Sequence, residues 1–391
     1  MCLKMKTEFL RFKTHLSVIL MLSATIILQS CSSDDTENEG INETPQNLTS
    51  IIDDILSVGQ PANQPGLAVL IKKDGQLAYQ QTKGLARISD NLPINPNTGF
   101  RIGSITKTFT ALAIMQLVEQ DLISLEDKIV DILPELPNVY TAMTVKQLLD
   151  HSTGLLDYID DNTDITALDN LTTSQVIDLI PISGLENLLF EPGSAAEYSN
   201  TGYVFLALII EKISGETYPE YMANHIFTPL GMSNTFVISE NEHLGDRNDN
   251  YALNFGNFIK VKGFNSLIYG ASGIVSSIND LNLFVEAVLR HEIVMETTLN
   301  SMILPSSSIS WLGDYGLGWI TGTGSNYWHQ EINLTDSNDY WHIGGFDGYR
   351  SILSINPDLN LEIIILTNNG DASQELSYSI VRNTREYYKG N

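Results

Sequence analysis

The sequence predicts an α+β fold: an antiparallel sheet assembled from both chain ends, flanked by terminal helices, with a mostly helical subdomain inserted between its halves. Three observations predict it. Two strand-like runs joined by a tight turn stand near the start, helix-periodic segments fill the middle, and four short apolar runs separated by turn residues stand near the end. No internal repeat interrupts that order.

Taken in chain order, the pattern opens with a helix near 47–57, followed by "GLAVLIKK" and "QLAYQQTKG" on either side of Asp74-Gly75. Asp-Gly between two alternating runs is a hairpin signal. From Ser104 to about residue 300 helical periodicity dominates, at 104–120, 144–151, 201–214, 217–227 and 278–290, and this bounds the inserted subdomain. "YGLGWI", "DYWHIGG", "YRSILSI" and "LEIIILTN" then read as strands, and a helix over 373–388 closes the chain. A two-lobed layout of this kind makes a cleft at the lobe junction, where pockets tend to lie, and Ser104 opens onto it.

Composition bounds the function. With 391 residues, 43% of them hydrophobic, the chain buries a large core as one big domain or two lobes. Its 21 Lys and Arg against 47 Asp and Glu, a net charge of −26, argue against a nucleic-acid partner, whose phosphates need clustered cations. The acidity reads as solubility.

The N-terminus is a separate object. Lys4, Lys6, Arg11 and Lys13 precede the apolar run "LSVILMLSATIIL" (16–28), which reads as a bacterial secretory signal and is short for a bilayer span of about 20 residues. "LQSC", Leu28 to Cys31, resembles a lipobox, so residues 1–30 are expected to be cut away and Cys31 lipidated. Residues 31–46 then form a flexible acidic tether and residues 47–391 the folded domain. The expected address is the bacterial cell envelope, lipid-anchored to the membrane and facing the periplasm or the outside. Cys2 leaves with the signal, so there is neither a disulfide framework nor a thiolate metal site. HExxH is absent, and "DYIDDNTDIT" (157–166) lacks the glycine of an EF-hand loop, so neither metal nor cofactor is expected.

Three short stretches carry candidate chemistry. In "FRIGSITKTFTALAIMQLVEQ" (100–120), Ser104 and Lys107 stand three apart at the first turn of an apolar helix, where they share a face and the lysine ammonium reaches the hydroxyl. The helix N-terminus favours an oxyanion nearby. Ser-x-x-Lys alone is a weak signal, equally met by a capping serine and a snorkelling lysine. "EYSNTGYVFLALIIEKISG" (197–215) puts Tyr198 and Asn200 just before a helix, and "YWHIGGFDGYRS" (340–351) sets His342 on a strand followed by Gly344 and Gly345, which let a substrate approach the backbone.

In this order, Ser104-x-x-Lys107, Tyr198-x-Asn200 and His342-x-Gly344 resemble the three motifs of the serine β-lactamase and penicillin-binding protein superfamily. The tyrosine in the middle motif is similar to the class C β-lactamase branch, which also holds D-alanyl-D-alanine carboxypeptidases, D-aminopeptidases and esterases. "LLDHSTGL" (148–155), "PGSAAEYSNTGY" (192–203), "IFTPLGMSNT" (226–235) and "GASGIVSSINDL" (270–281) extend the resemblance over nearly the whole domain.

The resemblance implies a serine hydrolase whose nucleophile is Ser104, with Lys107 and Tyr198 as a coupled proton-handling pair. It implies that Asn200 binds the substrate's acyl side chain, that His342, Gly344 and Gly345 line the substrate, and that the N–H groups of Ser104 and Gly345 form the oxyanion hole. The partner implied is a small ester, amide or D-amino-acid peptide. His342 stands where lactamases of this branch carry a lysine, so catalysis is expected and lactamase activity is in doubt. Arg350 has two readings, a replacement for that missing cation or, the favoured one, a structural ion pair with Asp347, and His151 in "DHSTG" is assigned to a buried loop-fixing role. A true class C-like β-lactamase and a non-catalytic receptor that kept the fold are the competing readings.

Overall fold

The computed structural model describes residues 47–158, 172–175, 177, 187–238, 248–261, 269–322, 338–346 and 348–390. The expected secretory signal and tether (residues 1–46, with Cys31) and Asp347 lie outside the described residues.

Helix α1 (Leu48–Gly59) starts at Asn47, whose side-chain oxygen accepts the Ser50 N–H at 2.8 Å. Strands β1 (Leu67–Lys73) and β2 (Gln76–Lys83) follow. Asp74 (φ 52°) and Gly75 (φ 72°) are both left-handed, as a two-residue hairpin turn requires.

The chain then builds its helical lobe. A 3₁₀ turn at Gly103–Ile105 runs into α2 (Thr106–Glu119), which is buried almost all round and therefore shows no amphipathic stripe. Next come α3 (Val145–Leu149) with a Thr144/Gln147 capping box, α4 (Asn200–Ser214) capped by Ser199, and α5 (Tyr218–Met222) with a Thr217/Glu220 capping box. The helix expected over 217–227 widens into a π turn at Ala223–Phe227, where the Thr228 N–H reaches back to the Ala223 carbonyl just ahead of Pro229, which has no N–H to continue the ladder. Helix α6 (Ile278–Leu289), capped by Ser277, completes the lobe. The lobe also carries a small sheet of Phe100–Arg101, Ile274–Ser276 and Phe236–Val237, and a hairpin of Tyr251–Asn254 with Asn257–Lys260.

Six strands return to the sheet: β3 (Ser307–Ile309), β4 (Gly313–Tyr315), β5 (Ile320–Thr321), β6 (Tyr340–Phe346), β7 (Tyr349–Asn356) and β8 (Leu361–Thr367), before α7 (Gln374–Gly390). "YGLGWI" does not form one strand. Gly318 takes φ 88°, and the Gly316 N–H donates to the Trp319 carbonyl at 2.8 Å, so the chain turns between β4 and β5.

The eight strands are antiparallel in the order β3-β4-β5-β6-β7-β8-β1-β2. The two chain ends meet where β1 pairs with β8, from Leu67↔Thr367 to Lys73↔Leu361, as the sequence predicts. On one face α1 and α7 enclose a core of Ile52, Leu56, Val69, Ile71, Trp341, Ile363, Ile365 and Val381. On the other, α6 lies against β1 and β8, and the turn carrying Ser104 lies against β6 and β7. With both faces covered, β8 is buried along its whole length, which explains its unbroken apolar run.

Helix α7 is pinned by charge as well as by packing. The Arg385 guanidinium donates to the Asp339 carboxylate one residue before β6, and both side chains are fully buried. Removing one partner leaves the other as an uncompensated buried charge, at a cost of about 3–5 kcal/mol. Asp339→Ala should therefore lower the urea midpoint by that equivalent at an unchanged m-value; a change under about 1 kcal/mol would refute the role given to the pair.

Candidate active site

Three segments distant in sequence converge on Ser104. Its own turn presses against β6 without intervening side chains: a Cβ on Gly103 (φ 54°) would meet the Gly345 nitrogen at 2.7 Å, and one on Gly344 would meet the Ile102 carbonyl at 1.9 Å. Only glycine fits at either position. The N–H groups of Ser104 and Gly345, the expected oxyanion donors, thus belong to two backbones in direct contact. Ser351 adds a clamp, donating its hydroxyl to the Ile102 carbonyl at 2.8 Å.

Lys107, one turn on in α2, has no exposed surface. Its Nζ reaches three oxygens: Asn200 Oδ1 at 2.7 Å, the Ala271 carbonyl at 3.0 Å and Ser104 Oγ at 3.2 Å. It also lies 4.8 Å from the ring centre of Tyr198 and 5.4 Å from that of Tyr203. Burial lowers its pKa to about 7, against an opposing pull from the Asp157 carboxylate.

The polarity of these contacts is informative. Asn200 Nδ2 donates to Asp157 Oδ2 at 2.7 Å, which fixes the amide with Oδ1 toward Lys107. Neither that oxygen nor the Ala271 carbonyl can donate. A neutral Lys107 amine therefore spends its two hydrogens on them and turns its lone pair to the remaining neighbour, the Ser104 hydroxyl, which can donate. Asn200 is the first residue of α4, while the cap itself is Ser199. Its amide is thus shared between Lys107 and Asp157.

Tyr198 hydrogen-bonds Ser104 from the other side, and burial of its hydroxyl holds its pKa above the ordinary phenol value. The phenol stays protonated at neutral pH. Beneath it lies His151, buried and left-handed (φ 61°), its ring 4.4 Å from that of Tyr198, 5.1 Å from Tyr203 and 4.6 Å from Tyr315. His151 Nδ1 accepts the Ser199 N–H at 3.2 Å, and its carbonyl accepts the Glu197 N–H at 3.1 Å, so it holds the extended segment that presents Tyr198. Among the described residues its Nε2 has no hydrogen-bond partner.

His342 sits on β6 with 1% exposure. Its Nδ1–H donates to the Ile343 carbonyl at 2.7 Å, which leaves Nε2 to accept the Tyr315 hydroxyl at 3.0 Å. Burial, then the nearby Lys107 charge, push its pKa down to about 3. The ring is neutral and committed to Tyr315. Arg350 pairs across the sheet with Gly345, on the face alternate to His342 and Gly344, and its Nη1 donates to the Tyr349 carbonyl at 2.8 Å. Its expected partner, Asp347, lies outside the described residues.

Sequence reasoning missed Asp157, Tyr315 and the Ala271 carbonyl. All three lie in stretches that the sequence reading singles out for other reasons, but no spacing rule links an aspartate to an asparagine 43 positions on. Among the described residues no group of three or more His, Cys, Asp or Glu side chains is placed to hold a metal ion.

The neutral histidine gives a stability prediction. The unfolded chain takes up a proton near pH 6.5 that folded His342 refuses until about pH 3. Its contribution is therefore intact above pH 6.5 and is lost as the pH falls, at up to about 1.4 kcal/mol per pH unit. The His342 ring resonances should stay unshifted between pH 5 and 8; a titration centred near 6.5 would contradict the geometry.

The chain is similar to known proteins in sequence and in fold. The Beta-lactamase family profile matches residues 57–380. Penicillin-binding protein 4* of Bacillus subtilis is 29% identical over 329 residues, 78% of this chain and 68% of that protein. Protein flp of Staphylococcus aureus is 26% identical over 339 residues, 84% of this chain and 63% of its own length, so the chain spans about two thirds of these relatives. Among solved structures, the octameric penicillin-binding protein homologue from Pyrococcus abyssi matches with a TM-score of 0.72 and 28% identity, covering 86% of this chain and 77% of its own. The D-amino acid amidase of Ochrobactrum anthropi SV3, solved with D-phenylalanine, shares the fold at a TM-score of 0.68 and 24% identity over 88% of this chain and 98% of its own. The family match, which spans residues 57–380, assigns the chain to the Beta-lactamase family.

Proposed function

We propose that this chain is a serine hydrolase of the class C-related branch that forms an acyl-enzyme on Ser104 and cleaves esters or D-amino-acid amide and peptide bonds. One observation carries the reading: a fully buried Lys107, its pKa near 7, sits 3.2 Å from a half-exposed serine hydroxyl. In that reaction the Lys107 lone pair takes the Ser104 proton as Oγ bonds to the substrate carbonyl carbon. The Ser104 and Gly345 N–H groups hold the oxyanion, each worth roughly 3–4 kcal/mol. As the tetrahedral species collapses, the proton passes from Lys107, with Tyr198 as neutral relay, to the leaving alcohol or amine. A water then adds to the acyl-enzyme by the same route in reverse and frees the acid.

The amidase solved with D-phenylalanine brings D-amino-acid amides into the proposed range. His342 bears on β-lactams. A neutral ring bonded to Tyr315 offers no cation to a lactam carboxylate. One charged hydrogen bond lost is about 1.5–3 kcal/mol, roughly 10- to 150-fold. We also propose that Cys31 is lipidated and anchors the domain in the bacterial envelope; the sequence around it is the support.

Ser104→Ala should abolish both turnover and labelling by a fluorophosphonate probe, while Lys107→Ala and Tyr198→Phe each lose on the order of 10² to 10⁴ in rate with the fold intact. Labelling that survives Ser104→Ala would overturn the assignment. In a substrate panel, an aryl ester should outpace a chromogenic cephalosporin in kcat/KM; the opposite order would return the protein to the true lactamases. Cys31→Ser should release the protein from membranes, and retention there would favour an uncleaved anchor.

A further inference from the structure

The hydrogen-bond polarity around Lys107 depends on one side chain that no catalytic motif contains. Asp157 lies half-buried on the loop after Leu155, and its Oδ2 accepts the Asn200 Nδ2–H at 2.7 Å and the Asn200 backbone N–H at 3.3 Å. A carboxylate can only accept, so the amide nitrogen must face Asp157 and the amide oxygen must face Lys107, at 2.7 Å. Were the amide reversed, its N–H would point at the lysine nitrogen and compete with Ser104 for the lone pair.

We propose that Asp157 is a positioning residue of this site: by fixing the sense of the Asn200 amide it aims the Lys107 lone pair at Ser104, and by its charge it sets how readily Lys107 keeps its proton. The inference rests on the serine-hydrolase reading above and adds to it a residue outside the three motifs. Among the described residues, these groups face Lys107. Ser104 stands on its own segment, Asn200 and Tyr203 on α4, Tyr198 just before it, the Ala271 carbonyl before the Ile274–Ser276 strand, and the Asp157 carboxylate behind Asn200. His151 and His342, both depressed in pKa, sit near enough to feel the lysine charge and are neutral. Asp157 is the negative group that opposes the desolvation of the ammonium.

Orientation and charge can be separated experimentally. Asp157→Asn nearly preserves shape, removes the charge, and offers the Asn200 amide a partner that donates as readily as it accepts. Asp157→Ser keeps a short polar group on a half-exposed loop and guards against a folding defect in the first variant. The rate of Ser104 labelling by a fluorophosphonate is measured from pH 5 to 9 for wild type and both variants. Loss of the carboxylate makes the ammonium harder to keep, so the acid limb of the profile should move to lower pH by about one unit in both variants. Loss of the enforced amide sense should lower the plateau rate by about tenfold. A purely structural role would lower the plateau or the melting temperature and leave the limb in place; limbs that coincide with wild type in both variants therefore overturn the proposal, as does a move to higher pH. If wild type itself is not labelled, the serine-hydrolase reading fails first. If wild type is labelled and the three profiles coincide, the role of Asp157 alone fails.

Discussion

The burial of one amine organises the site. Lys107 stands on a helix enclosed on nearly every side and has no exposed surface. An ammonium taken out of water is costly unless hydrogen-bonded, and here it meets three oxygens and the faces of two tyrosines. Those contacts offset part of the cost and leave the amine close to balance between its charged and neutral forms near pH 7. The balance matters because two of the three oxygens are pure acceptors. Once the proton is lost, the lone pair has one direction left, toward Ser104.

The rest of the fold serves that geometry. Strands β6 and β7 are interior, flanked by β5 and β8 in one sheet that the β1–β8 pairing extends and that α1 and α7 back, so β6 is a firm wall. The Ser104 turn docks on that wall through Gly103 and Gly344, and a methyl added at either would force the backbones apart. From the helical lobe, α4 delivers Asn200 at its first turn and Tyr198 just before it, while His151 braces the incoming segment. Sites carried on packed elements in this way hold reacting groups to the tolerance that catalysis needs.

Much of this was legible in the sequence, for physical reasons that can be named. Asp74-Gly75 announces its turn because few residues tolerate two consecutive left-handed conformations, and the run at 361–367 announces a strand covered on both faces. The pairs Ser104/Lys107 and Tyr198/Asn200 are short-range patterns, so they could be read directly. What the sequence hid depends on tertiary contact. His342 occupies a motif position that suggests a group facing the substrate, yet Tyr315, arriving from β4, binds its Nε2, and burial with the nearby Lys107 charge keeps the ring neutral. Asp157 is one acid in an acid-rich stretch, and nothing local distinguishes it from its neighbours. The turn at Gly316–Trp319 and the π turn at Ala223–Phe227 were hidden by the same limitation, since periodicity reports the faces of an element and not the hydrogen-bond step within it.

The central claim is that Lys107 is poised between amine and ammonium at neutral pH, and this can be observed without a substrate. In protein labelled with ¹³C at lysine Cε, the Lys107 resonance, identified by its absence in Lys107→Met, should titrate with a midpoint near pH 7, as its burial requires. A Lys107 resonance that stays unshifted through neutral pH and moves only under alkaline conditions would mean the ammonium is retained at neutral pH, and would contradict the account of the site given above.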